Sequence, residues 1–270
     1  MESKIMHPHN EITILGTGNA MVTRCYNTCF VITTVGGTRL LVDAGGGNGI
    51  LTQLQRADIK AEEITDLFVT HAHTDHVLGV VWMMRLALQY KHPMRLWSHR
   101  KVIDLITYIC QQTLPAKYSA GIGTMVEMKC INDGDVFEVG DMKMQCFDIH
   151  STKELQYGFV ATLPGECRLV CLGDEPFSEE NRKYAENADW LMSEAFCLYD
   201  DRDRFKPYKK HHSTALDAAR LAEELNVRNL ILYHTEDKTI DTRRQRYTEE
   251  AKSAFSGQVY VPDDLDRIPL

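Results

Sequence analysis

No apolar run in this chain is long enough to cross a bilayer. The longest, Val77 to Leu88, is interrupted by Arg85 and falls well short of the roughly 20 residues that a spanning helix needs. Met1 to Asn10 has no apolar centre of the kind a secretory signal carries. None of the 8 cysteines forms a C-x-x-C pair; the closest spacings are Cys25/Cys29 and Cys167/Cys171. Several lie inside apolar stretches such as Leu169-Val170-Cys171-Leu172, so reduced cysteines packed in the core of a cytoplasmic protein are expected, not a disulfide framework. No Pro/Gly/Ser linker or low-complexity tract divides the 270 residues. Positive charge is in deficit: 30 Lys and Arg face 38 Asp and Glu, a net charge of −8. That balance opposes loose binding to nucleic acid or to an anionic membrane.

What is present is concentrated in one place. His71-Ala72-His73-Thr74-Asp75-His76 puts four metal-competent side chains into six residues, directly after the apolar run Leu67-Phe68-Val69-Thr70. In extended backbone, side chains two apart share a face, so His71 and His73 can meet one cation. Asp75 and His76 lie past a bend and can meet a second. Imidazole and carboxylate ligands suit zinc, manganese or iron(II).

The rest of the chain repeats a simpler pattern. Six apolar runs end in a ligand-type residue: Asp43, His71, His150, Asp174, Glu194 and His234. Strands are expected near Ile12–Leu15, Thr28–Thr34 and Thr38–Val42, with Gly36-Gly37 as a hairpin turn, and short strands from Thr124 to Leu172. Helices are expected near Ile50–Arg56, Val77–Gln89, Lys101–Gln111, Ser178–Asn187, Thr214–Leu225 and Thr242–Ala254. Strands alternating with helices in both halves indicate α/β layers. Open α/β sheets bind ligands beyond the carboxyl ends of their strands, so the six residues can converge on one rim.

Asp43, His71-x-His73-x-Asp75-His76, His150, Asp174 and His234 resemble, in order, the five motifs of the metallo-β-lactamase superfamily. Within it, Leu15-Gly16-Thr17-Gly18-Asn19, Ser193-Glu194-Ala195 and His212-Ser213-Thr214-Ala215 look most like the ribonuclease Z branch. The resemblance implies a single domain over residues 1–270, a four-layer αββα sandwich of two mixed sheets flanked by helices. It implies two divalent ions, zinc first, with manganese or iron as alternatives. One would take His71, His73 and His150, the other Asp75, His76 and His234, with Asp174 between them and Asp43 orienting the ligands. It also implies a homodimer. One departure stands out. Ribonuclease Z enzymes usually carry a long arm between the third and fourth motifs, whereas only 23 residues separate His150 from Asp174 here. Transfer-RNA maturation would lack its usual docking element. The other departure is Glu175, where the branch usually has Thr; the sequence assigns it no role.

Two such ions can hold a shared hydroxide near neutral pH, because metal binding lowers the pKa of water from about 15.7 to roughly 7. The expected activity is a phosphodiesterase of ribonuclease Z type on RNA or small nucleotide phosphodiesters. Asp75, His212 and Glu194 are the expected catalytic side chains, with His212 donating a proton to the leaving oxygen and Glu194 holding its far nitrogen. Arg204, Lys206, Lys209 and Lys210 are weaker candidates for steering an anionic substrate. Ser213 reads as a helix cap, and His99 as a surface residue. A hydrolase of a lactone, thioester or sulfate ester is the alternative, and a non-enzymatic metal-stabilised binding protein the second.

Overall fold

The structure, a computed structural model, describes residues 7–270. The first half contributes β1 (Glu11–Gly16), β2 (Cys29–Thr33), β3 (Arg39–Val42), β4 (Asp66–Phe68), β5 (Met94–Ser98) and β6 (Val126–Cys130). The second contributes β7 (Val136–Val139), β8 (Met142–Asp148), β9 (Tyr157–Leu163), β10 (Cys167–Cys171), β11 (Trp190–Glu194), β12 (Asn229–Tyr233) and β13 (Gln258–Tyr260). The last strand, β14 (Arg267–Pro269), returns to the first sheet and pairs with β1. Two seven-stranded sheets result, ordered β14-β1-β2-β3-β4-β5-β6 and β13-β12-β11-β10-β9-β8-β7. Each is mixed: β3 to β6 run parallel, as do β10 to β13, and the remaining pairs are antiparallel.

Period-two alternation builds the layers. Phe30, Ile32, Leu40, Val42 and Phe68 face the second sheet, where they meet Phe159, Cys171, Met192 and Ile231. Their neighbours Val31, Leu41 and Leu67 face outward onto the helices Gly49–Arg56, Thr74–Tyr90 and Arg100–Thr113. Likewise Leu191, Leu230 and Leu232 pack against the helices Ala215–Glu224 and Ile240–Lys252. A strand that buries alternate residues on opposite faces must be covered on both sides, which makes four layers. Among the described residues, no helix is long and apolar enough to cross a membrane.

The expected helices all occur, with shifted ends, except one. Ser178–Asn187 is instead a 3-10 turn, Glu179–Asn181, followed by a single helical turn, Arg182–Ala185. Asn187 is left-handed at φ 57° and ends it, its amide bonded to the Leu225 carbonyl at 2.8 Å. Ser213 is not the cap of the helix Ala215–Glu224. Thr214 is, in a reciprocal capping box with Asp217.

Candidate metal centre and cleft

The histidine-rich run lies where β4 gives way to the helix Thr74–Tyr90. His71 and His73 precede it, His73 in extended backbone, and Asp75 and His76 lie in its first turn. An aspartate there is favoured by the exposed N–H groups of the helix start. Gly79 fixes the helix position: its amide donates to the Gly45 carbonyl at 2.8 Å, and an added Cβ would lie 1.8 Å from the Ala44 carbonyl oxygen. Only glycine permits so close a backbone approach.

Asp43 organises this half of the site. It follows β3 in a left-handed conformation, φ 54°. Its carboxylate accepts from the Thr70 amide and the Thr70 hydroxyl, both at 2.8 Å, and lies 2.7 Å from His76 Nδ1. The Thr70 oxygen in turn lies 2.9 Å from His71 Nδ1. With Nδ1 of both rings engaged by Thr70 and Asp43, Nε2 of His71 and His76 is the nitrogen turned to the cluster, the one a metal ion would take in place of a proton.

The second half arrives as separate residues. Asp174 follows β10, and Gln156 clamps it twice: its side-chain nitrogen donates to Asp174 Oδ1 and its oxygen accepts from the Asp174 amide at 2.8 Å. His234 follows β12 at φ 57°, with Nδ1 3.2 Å from the Thr28 hydroxyl. Asp174 Oδ2 then lies 3.7 Å from His71 Nε2 and 3.6 Å from Nε2 of both His76 and His234.

Two ligand clusters come together, His71/His73/Asp174 and Asp75/His76/His234, each with its donor atoms within 4.8 Å of one another. Their donor chemistry fits divalent cations. His76 Nε2 is buried without a hydrogen-bond partner, 3.4 Å from Asp75 Oδ2. Burial holds His71 well below the usual imidazole pKa and His234 down to about 3, which keeps both rings neutral. Burial opposes the charged form of Asp174 and Asp75 as well. The neighbouring imidazoles outweigh it, His71 and His76 around Asp174 and His76 and His234 around Asp75, and hold both carboxyls below the carboxylate range. His76 is the exception among the rings. Burial lowers it, but Asp43 and Asp75 push it well above the usual value while no cation competes for its nitrogen.

His150 is the one expected ligand that the structure does not bring to either cluster. Its backbone is left-handed, φ 61°, its side chain is 39% exposed, and Nε2 lies 3.4 Å from Glu180 on the outer surface. His99 departs the other way: expected at the surface, it is buried at the end of β5, its ring edge-on to Tyr157 at 5.3 Å.

A cleft of about 490 Å³ lies over the clusters, lined by His73, Asp75, Asp174, His212 and His234, with Met21, Phe196, Lys153 and Lys210 among its other walls. His212 stacks on Phe196, centroids 4.8 Å apart, and lies 5.4 Å from the His234 ring. Glu194, buried at the end of β11, accepts from the Ser213 amide and from the Ser213 hydroxyl at 2.8 Å. Its other oxygen lies 3.5 Å from His212 Nδ1. Burial raises the Glu194 carboxyl, against the lowering effect of His212 and Ser213. Of the weaker cationic candidates, Lys210 lines the cleft; Arg204 lies over the Phe205 ring, Lys206 pairs with Asp203, and Lys209 is an exposed residue outside the cleft lining. Sequence reasoning missed Lys153, Gln156, Thr28 and Phe196. Nothing in their local sequence marks them, because each reaches the site only through the fold.

A family model described as Anti-Pycsar protein Apyc1 matches residues 10–260. Ribonuclease Z of Bradyrhizobium diazoefficiens is 25% identical, over 95% of this chain and 98% of its own length. Among solved structures, the metallo-β-lactamase fold protein YhfI from Bacillus subtilis has a TM-score of 0.77 at 20% identity, covering 96% of this chain and 98% of that one. Human tRNase Z, short form, has a TM-score of 0.74 at 21% identity, covering 96% and 98%. The sandwich is thus the metallo-β-lactamase fold, and the chain is ribonuclease Z-like.

Proposed function

Because the chain belongs to the Anti-Pycsar protein Apyc1 family, we propose that this ribonuclease Z-like hydrolase cleaves small nucleotide phosphodiesters with two divalent ions. The observation that carries the reading is Asp174 Oδ2, set among three imidazole nitrogens that belong to two adjoining ligand clusters. His71, His73 and Asp174 would hold one ion and Asp75, His76 and His234 the other, zinc being the best match to this donor set. Bound there, such ions supply a water of lowered pKa and neutralise charge on the phosphoryl oxygens.

The chain's own residues do the rest. Asp43 and Gln156 hold the ligands in place. His212, on the wall of the same cleft, is placed to give a proton to the leaving oxygen, and Glu194 fixes its orientation. Phe196 backs the His212 ring and keeps water from that face. The cleft volume of about 490 Å³ lies within the usual range for small-molecule sites, roughly 300–1,000 Å³. Between His150 and Asp174 stands a tight β9–β10 hairpin in place of an RNA-binding arm. Both features favour a small nucleotide over a transfer RNA.

Comparing bis(p-nitrophenyl) phosphate, an aryl sulfate and a homoserine lactone tests this reading. Turnover of the phosphodiester is expected, and His212→Ala should lower it by about a hundredfold or more with metal content unchanged. Turnover of the lactone or sulfate alone would overturn it.

A homodimer is part of the proposal. Leu78 and Trp82 are partly exposed on the helix Thr74–Tyr90, beside Ile109 and Leu114, around an apolar hollow that begins at Gly46 and Gly47. Sedimentation velocity should give twice the chain mass, and Trp82→Glu should return the monomer.

A further inference from the structure

The cleft has a cationic wall that the ligand motifs do not account for. Lys153 lines it, on the loop after β8, and Lys210 lines it from the loop before His212. The two loops are stitched together. Lys153 Nζ donates to the Lys210 carbonyl at 3.0 Å, and the Thr152 hydroxyl lies 3.1 Å from His211 Nδ1. Beneath them sits Glu175, 6% exposed. One of its oxygens accepts from the Ser151 hydroxyl at 2.7 Å and lies 3.4 Å from Lys153 Nζ; the other accepts from the Thr152 amide at 3.3 Å. The Ser151 oxygen then accepts from the amides of Lys153 and Glu154, each at 3.2 Å. One buried carboxylate therefore anchors the whole 151–154 loop.

An ammonium group has three N–H donors. The Lys210 carbonyl and Glu175 engage two of those on Lys153, which leaves one for a ligand in the cleft it lines. Lys153 lines the cleft and the buried Glu175 does not, so the cationic member of the pair is the one a ligand there meets. Lys210 adds a second cation, with Nζ 4.7 Å from the centroid of the Phe196 ring that also stacks His212.

We propose that Lys153 is an anion-recognition residue that binds a non-bridging oxygen of the substrate phosphate, and that Glu175 is the positioning residue that holds it there. The proposal rests on the phosphodiesterase reading for its substrate, but not for its anion. A hydrogen bond from a cation to an anionic oxygen is strong enough that its loss costs about tenfold in affinity. The metal-loaded full chain is assayed with bis(p-nitrophenyl) phosphate, and inorganic phosphate serves as inhibitor and, in calorimetry, as ligand. Lys153→Met should raise KM and the phosphate dissociation constant together by about tenfold, while kcat changes far less, the signature of lost ground-state binding. Lys153→Arg should recover most of the loss. Glu175→Gln keeps a partner for Ser151 but loses the charge, and should raise KM by a smaller factor. Circular dichroism checks that each variant is folded. Unchanged KM and phosphate affinity in folded Lys153→Met, or a loss confined to kcat, would overturn the proposal. If the parent chain cleaves no phosphodiester yet Lys153→Met still weakens phosphate binding, the subsite stands and the phosphodiesterase reading falls.

Discussion

The two halves of the molecule build the site by different means. The first half delivers His71, His73, Asp75 and His76 from one strand-to-helix turn, and a single carboxylate, Asp43, organises it through Thr70 and His76. The second half delivers Asp174, Glu194 and His234 from the ends of three neighbouring parallel strands, each with its own support: Gln156 for Asp174, Ser213 for Glu194 and Thr28 for His234. A contiguous turn shares its support, so one loss spreads through it. Dispersed residues fail one at a time.

Metal analysis can break that comparison. The largest effect is expected from His73→Ala, which removes a side chain already inside a cluster; elemental analysis should show loss of bound metal. Next is the contrast between supporting residues. Asp43→Ala should weaken metal affinity by about 10–100-fold, the usual range for groups that orient metal-ligating histidines. Thr28→Val, which removes one contact to His234 alone, should cost less. Equal losses in competition with a chelator would show that the shared carboxylate has no special standing. The smallest effect is expected from His150→Ala, because that ring faces Glu180 at the surface. A metal loss as large as that of His73→Ala would mean that the loop turns inward on loading.

The same contrast explains what could be read from the sequence. The turn after β4 was legible because its ligands are neighbours in the chain. The α/β layering was legible in the alternation of strands and helices, and the four-layer sandwich in the motifs that resemble the metallo-β-lactamase superfamily; β2, β3, β11 and β12, apolar on both faces, are what such a sandwich buries. Asp174 and His234 could be marked as strand-end residues, and the fold brings them in. The placement of His150 could not be read: it depends on a left-handed residue and a partner thirty positions away. The role of Glu175 stayed hidden because its partners, Ser151, Thr152 and Lys153, meet it only across the sheet end. His99 was misplaced because no partner pattern surrounds it in the chain, whereas in the fold residues of the 154–157 segment cover it.

β14 pairs with the outer edge of β1, Ile268 opposite Ile12. An unpaired strand edge is a template for association with other chains. Until β14 is in place, the first sheet therefore keeps a sticky border along β1, the strand that carries Ile12 and Ile14. Deleting residues 267–270 would recreate that border and turn a well-covered sandwich into one prone to self-association.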